Sequence, residues 1–160
     1  MTIFTIGYEG LDIDQFLSSL REHDIETVID VREMPISRKP GFSKKALERT
    51  LSMNEREYRH LVALGCPKSI RDDYRADGNW KRYTERFQKY LATQSDAIAA
   101  LSTLAKSSRC ALLCYEADFN FCHRSMVASA VKQFAGMRVR HIQAGVSKGA
   151  SVARLRGAFA

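Results

Sequence analysis

Short apolar runs alternate along this chain with longer segments in which apolar residues recur every three or four positions. The runs at residues 2–6, 27–31 and 110–114 are β-branched or continuously apolar, as expected of buried strands. The intervening segments have the periodicity of amphipathic helices, and the first of them begins with Asp12 and Gln15 in a capping-box pattern. Alternating strands and helices predict a single α/β domain of three layers, with helices flanking a mostly parallel sheet.

Weaker patterns complete the order of elements. Residues 58–61 and 137–142 predict two further short strands, whereas residues 68–79 are polar and are predicted to be irregular. The helix predicted after Asn79 carries an aromatic stripe of the kind that usually packs in a core: Trp80, Tyr83, Phe87, Tyr90 and Leu91. The last residues, 143–160, are rich in glycine, alanine and serine and predict a short terminal helix.

Polar side chains follow three of the predicted strands at the points where those strands end. Tyr8 and Glu9 follow the first strand, Asp30 and Arg32 the second, and the segment 114–124, CYEADFNFCHR, follows the strand at 110–114. Ligands of parallel α/β sheets bind beyond the carboxyl ends of the strands. We therefore expect these clusters to form one site.

The segment 114–124 contains the candidate catalytic residues Cys114, Glu116, Cys122 and His123. Cys122 lies near the first turn of the next predicted helix, where free N–H groups favour anions and lower a cysteine pKa. A neighbouring histidine or arginine has the same effect on a thiol. The alternative is that either cysteine packs as a small hydrophobic residue, and Cys114, at the end of a buried strand, fits this alternative better than Cys122 does.

Three arginines are candidates for binding an anionic substrate: Arg124 beside the cysteines, and Arg32 and Arg38 in a proline-containing loop. Guanidinium groups suit bidentate contacts with phosphate or carboxylate. As ordinary surface ions, Arg32 and Arg38 would have no such role. Asp30 is predicted to orient Arg32 or His123, or to pair with a neighbour.

A metal site is the less favoured interpretation of the same segment. Cys114, Glu116, Cys122 and His123 are four possible ligands within ten residues, and thiolate with imidazole suits zinc or ferrous iron. Their spacing matches no standard structural zinc motif. The sequence therefore predicts no metal or other cofactor, with zinc or iron as the alternative.

Length and composition limit the number of domains and the cellular location that we expect for this protein. A chain of 160 residues that is 45% apolar fits one domain with its own core, and no apolar run approaches the length of a membrane span. The N-terminal stretch has no basic region, so we expect a cytoplasmic protein with reduced thiols and no membrane contact.

The net charge of +7 is unevenly distributed. Residues 1–99 contain 16 basic and 16 acidic side chains, whereas residues 100–160 contain 9 and 2, which supply the whole excess. Such a field favours polyanions, although a solvated basic tail has the same composition. The candidate nucleic-acid contacts are Arg138, Arg140, Lys148, Arg154 and Arg156, and alternation along a strand places the first two on one face.

Four separated motifs carry a family resemblance: TIGYEG, VIDVREMPISRKPGFSK, YRHLVALGCPKSIR and LLCYEADFNFCHRSMVA. Over residues 2–142 the chain resembles the bacterial family named domain of unknown function 488. The resemblance implies a compact α/β domain but no assigned activity. It also implies these characteristic positions: Gly7, Tyr8, Asp30, Arg32, Pro35, Ser37, Arg38, Phe42, Cys114, Glu116, Cys122, His123 and Arg124.

Two functions remain open at this point. The first is an enzyme that acts on a phosphate-bearing substrate, such as a nucleotide or nucleic acid, with Cys114 or Cys122 as the reactive group. The second is a non-catalytic nucleic-acid-binding module in which the cysteines only pack. The partner is accordingly an anionic small molecule or a nucleic acid.

Overall fold

The structure, a computed structural model, describes residues 1–144. Its sheet has five parallel strands in the order β3-β2-β4-β1-β5. In chain order the strands and helices are β1 (Thr2–Gly7), α1 (Ile13–Glu22), β2 (Thr27–Asp30), α2 (Lys44–Met53), β3 (Glu57–His60), α3 (Lys68–Asp77), α4 (Trp80–Ala92), α5 (Ser95–Ser107), β4 (Cys110–Cys114), α6 (His123–Ala135) and β5 (Arg138–Ile142).

Helices cover both faces of the sheet, which confirms the predicted three-layer α/β domain. Alternation along each strand sends neighbouring side chains to opposite faces, so Ile3 and Phe4 of β1 belong to different cores. One core packs against α1 and α2 through residues such as Phe16 and Leu47. The other packs against α3 to α6 and includes the predicted aromatic stripe of α4, with Phe87 fully buried.

The prediction that residues 68–79 are irregular is wrong, because most of this segment forms α3. The helix buries a single apolar residue, Ile70, so its sequence shows almost no apolar periodicity. Ion pairs from Asp72 to Lys68 and Arg75 line its exposed side, and Gly78 ends it with a φ of 64°. The ion pairs and the terminal glycine are local features, and the spacing of apolar residues does not reveal them.

The central strands set the position of any site at the carboxyl edge. β4 lies between β1 and β2, so the segments that follow these three strands are spatial neighbours. The capping box of Asp12 and Gln15 forms as predicted at the start of α1. No helix in residues 1–144 is long and apolar enough to cross a membrane. The terminal helix predicted within residues 143–160 falls almost entirely outside this range.

Candidate active site at the end of the central strand

Arg124 holds the segment that connects β4 to α6. Its guanidinium group is fully buried, and Nε lies 3.2 Å from the hydroxyl oxygen of Thr5 on β1. The terminal nitrogens donate to the backbone carbonyls of Glu116 and Ala117. All three nitrogens thus have protein acceptors. These contacts give Arg124 a positioning role, while the expectation that it binds a substrate anion stays a prediction.

Gly7, at the end of β1, packs directly on the same connecting segment. A Cβ atom at this position would lie 1.8 Å from the carbonyl oxygen of Glu116 and 2.5 Å from its carbonyl carbon. Position 7 therefore requires glycine, because there is no space for the Cβ atom of any other residue. This close approach and the contacts of Arg124 fix the backbone of Glu116 from two sides.

The connecting segment brings the four candidate catalytic residues together. Cys114 is the last residue of β4, Cys122 is the N-cap of α6, and His123 is the first residue of that helix. The two sulfur atoms and a ring nitrogen of His123 all lie within 4.8 Å of one another, and all three side chains are buried. The Sγ of Cys114 is 3.7 Å from Nδ1 of His123 and 3.2 Å from Oε2 of Glu116.

The ring of His123 is fixed by a backbone contact that the sequence did not indicate. Its Nε2 lies 2.7 Å from the carbonyl oxygen of Val31, just beyond β2, so Nε2 carries the proton and donates it. The other nitrogen, Nδ1, then faces the sulfur of Cys114. Phe87 of α4 packs against the ring with centroids 5.3 Å apart. A carbonyl group has no sequence signature, which is why this partner could not be predicted.

The electrostatics of the cluster separate the two thiols. Burial by itself would raise the pKa of Cys122, but hydrogen bonds with Cys114 and His123 and the charges of His123 and Arg124 bring it well below its usual value. The hydrogen bond with Cys122, followed by burial, raises the pKa of Cys114. The surroundings thus favour the thiolate form at Cys122 and the thiol form at Cys114, whose Sγ donates to Oε2 of Glu116.

Glu116 and His123 respond to the same charge. Burial raises the pKa of Glu116 to about 7, and the negative charge of Cys122 adds to that effect. For His123, burial opposes the cation, but the interaction with Cys122 outweighs it and raises the pKa. Glu116 as a whole residue is partly exposed, whereas the two cysteines and His123 are buried.

Aromatic side chains of α4 pack beside the cluster. The ring of Tyr83 stacks on Trp80 with centroids 4.6 Å apart. Trp80 in turn contacts Phe121, which is half exposed beside Cys122. The sequence indicated only core packing for these α4 residues. The spacing that places them in the core is the same spacing that places them beside the site.

Asp30 and Arg32 lie on the other face of the sheet, where α1 and α2 pack, and form a network separate from the cysteine–histidine cluster; their expected role in substrate binding stays a prediction. Both oxygens of Asp30 accept from the Arg32 guanidinium group, at 2.9 and 2.7 Å. Arg32 also donates to the hydroxyl of Tyr8 and the carbonyl of Phe42, and Tyr58 donates to Asp30. Asp30 therefore orients Arg32 and not His123. Side-chain alternation at the end of β2 explains the separation.

The remaining predicted site residues take no part in the network of Asp30 and Arg32. The carboxylate of Glu9 accepts the N–H of Ala117 at 3.0 Å and so helps to hold the connecting segment. Arg38 is exposed and makes no hydrogen bond or ion pair with any residue in the range 1–144. Arg138 and Arg140 are exposed on one face of the edge strand β5, as strand alternation predicts. The other three nucleic-acid candidates, Lys148, Arg154 and Arg156, are outside the described residues.

Fold and site define an α/β domain with a buried cysteine–histidine cluster at the carboxyl end of its central strand. Residues 12–131 match the family model described as domain of unknown function DUF488. This match covers well over half of the chain, so the chain belongs to the DUF488 family. The matched range includes all four residues of the cluster. No curated protein and no solved structure matches the chain.

Proposed function

We propose that this protein is an enzyme whose active site is the cluster of Cys114, Glu116, Cys122 and His123, and that its substrate is a small phosphate-bearing molecule such as a nucleotide. The observation that carries the proposal is the convergence of these side chains. They come from the end of β4, the connecting segment and the start of α6, and they meet where parallel sheets place their ligands.

The burial of the cluster supports a functional role. Ionisable side chains are disfavoured in a protein interior unless they are paired, and here they are paired with one another. Cys114, Cys122 and His123 are each no more than 5% exposed. Strongly interacting titratable groups collected in one place are characteristic of active sites.

The charge around the cluster supports an anionic substrate. Cys122 caps α6 without a side-chain hydrogen bond to the first turn, so the positive end of a 13-residue helix lies next to the sulfur atoms. In this proposal Glu116 transfers a proton between the substrate and solvent water, and Arg124 keeps the backbone of Glu116 in place.

Glu116→Gln is expected to lower turnover by about 100-fold or more, because the amide keeps the shape of the side chain but cannot transfer a proton. The measurement is phosphate release and product formation from a panel of nucleotides and phosphate monoesters and diesters. Glu57→Gln, on the exposed side of β3, is the matched control and should leave turnover unchanged. Absence of turnover across the panel, or equal turnover in both variants, would contradict the proposal.

Nucleic-acid binding is a second candidate function, favoured by the exposure of Arg138 and Arg140 on one face of an edge strand. If both contact phosphates, replacing them with alanine should reduce the log–log salt slope of duplex binding by roughly 1.8, at about 0.9 per contact. The measurement is a salt titration with a short duplex. The control is a double alanine variant at Lys45 and Lys89, which are exposed on helices. If the two double variants have the same salt slope, Arg138 and Arg140 on β5 do not contact the phosphates of the duplex.

A further inference from the structure

The structure points to a metal site: we infer that Cys114, Cys122 and His123 together bind one thiophilic divalent ion, for which Zn²⁺ is the best match. The sequence favoured the opposite, because the spacing of these residues matches no standard zinc motif. The inference deepens the proposed function, since it names the cofactor of the same site. Metal binding is nevertheless measurable without any substrate.

The distances between the ligand atoms suit a single ion. In a tetrahedral site the zinc–sulfur distance is about 2.3 Å and the zinc–nitrogen distance about 2.0–2.1 Å, which places sulfur and nitrogen ligands roughly 3.5 Å from each other. The Sγ of Cys114 is 3.7 Å from Nδ1 of His123. All three ligand atoms lie within 4.8 Å of one another, so small side-chain movements bring them to bonding distance.

His123 is already oriented as a metal ligand. Histidines that bind metals almost always donate their second ring N–H to a carboxylate, a backbone carbonyl or a water molecule, which fixes both tautomer and ring plane. Here Nε2 donates to the carbonyl of Val31 at 2.7 Å, and Nδ1 faces the sulfur atoms. The carbonyl belongs to the end of a central strand, so the ring orientation does not depend on a mobile side chain.

The charges of this ligand set suit a divalent ion. Two thiolates carry two negative charges, which one divalent cation neutralises, while His123 binds as the neutral imidazole. Binding displaces one proton from each thiol that is protonated and from His123 if it is charged, and the buffer takes up these protons. Thiolate and imidazole ligands together select zinc or ferrous iron over magnesium or calcium.

Glu116 lies beside the three proposed ligands. This side chain is not one of the three mutually close ligands, yet its Oε2 lies 3.2 Å from the Sγ of Cys114 and it is partly exposed. Three protein ligands with an open position are characteristic of catalytic zinc sites, whereas structural sites close all four. A zinc ion held by these three residues would supply a bound water of lowered pKa for hydrolysis, and Glu116 would be placed to accept the proton of that water.

The test is metal content and zinc affinity of the full chain. Protein purified under reducing conditions without chelator should contain about one equivalent of Zn²⁺ or Fe²⁺, and chelator-treated protein should take up about one equivalent of added Zn²⁺. Cys122→Ser and His123→Gln should each weaken zinc binding by more than about 100-fold. The matched controls Cys66→Ser and Cys110→Ser alter buried cysteines outside the ligand set and should bind zinc as the wild type does.

Two further measurements keep the outcome decisive if a ligand variant fails to fold. Zinc should raise the melting temperature of the chelator-treated wild type, and Co²⁺ bound in its place should show the absorption of cobalt–thiolate bonds. The inference is overturned if the wild type binds no stoichiometric metal, or if the control variants lose metal while the ligand variants keep it. Metal binding without turnover would refute only the proposed enzyme, and turnover unaffected by chelation would refute only the metal site.

Discussion

Replacing Asp30 with alanine is expected to lower the free energy of unfolding by about 3–5 kcal/mol, the typical cost of removing one partner from a buried ion pair. Asp30 is fully buried and Arg32 is 7% exposed. Without the carboxylate, the guanidinium group of Arg32 would keep only the hydroxyl of Tyr8 and the carbonyl of Phe42 as acceptors. Tyr58 would also lose its acceptor.

Urea denaturation followed by circular dichroism measures this effect. The matched control is Glu57→Ala, which removes the acidic partner of Arg59 in an ion pair that is 55% and 66% exposed. Exposed pairs contribute about 0–1 kcal/mol, so this variant should stay near the wild type. Equal stability of the two variants would show that the Asp30 network does not hold the α1–α2 face of the sheet.

Gly7→Ala is expected to destabilise the fold by about 3 kcal/mol and to displace the connecting segment that carries the site. The added Cβ would overlap the backbone carbonyl of Glu116, which Arg124 holds by a hydrogen bond and which therefore cannot move away freely. We expect weaker zinc binding together with the loss of stability, because Cys114 and Cys122 lie at the two ends of the displaced segment.

Gly10→Ala separates this steric effect from the backbone preference of glycine. Gly10 has a φ of +79° and no atom within 4 Å of an added Cβ, so only the left-handed conformation is penalised, at about 1–2 kcal/mol. Chemical denaturation and zinc titration of both variants give the comparison. If Gly10→Ala loses more stability or zinc affinity than Gly7→Ala, the close packing at Glu116 does not support the site.

The strands and most helices were predictable because each has a strong local pattern. The strand at residues 110–114 is continuously apolar, as a strand buried on both faces must be, and the capping box at Asp12 has a fixed spacing. Helix α3 was missed because it buries little apolar surface. The ion pairs along its surface and the glycine that ends it are weak signals in a polar segment.

The site was predictable only in part, because the spacing of residues along the sequence does not show where their side chains point. Cys114, Glu116, Cys122 and His123 were identified as candidates from residue type, and the structure brings them together. Asp30 was grouped with them because it follows a neighbouring strand, yet its side chain points to the other face. The contact between His123 and the Val31 carbonyl depends on how β2 and α6 pack, which no local pattern encodes.

X-ray diffraction data from crystals of the wild-type protein, collected above and below the zinc absorption edge, test the central claim most directly. We predict one strong anomalous peak, at about 2.3 Å from the sulfur atoms of Cys114 and Cys122 and about 2.1 Å from Nδ1 of His123, with Glu116 facing its open side. Crystals grown with zinc present that show no anomalous peak at these three residues, or a peak bound elsewhere with the thiols unliganded, would contradict the account.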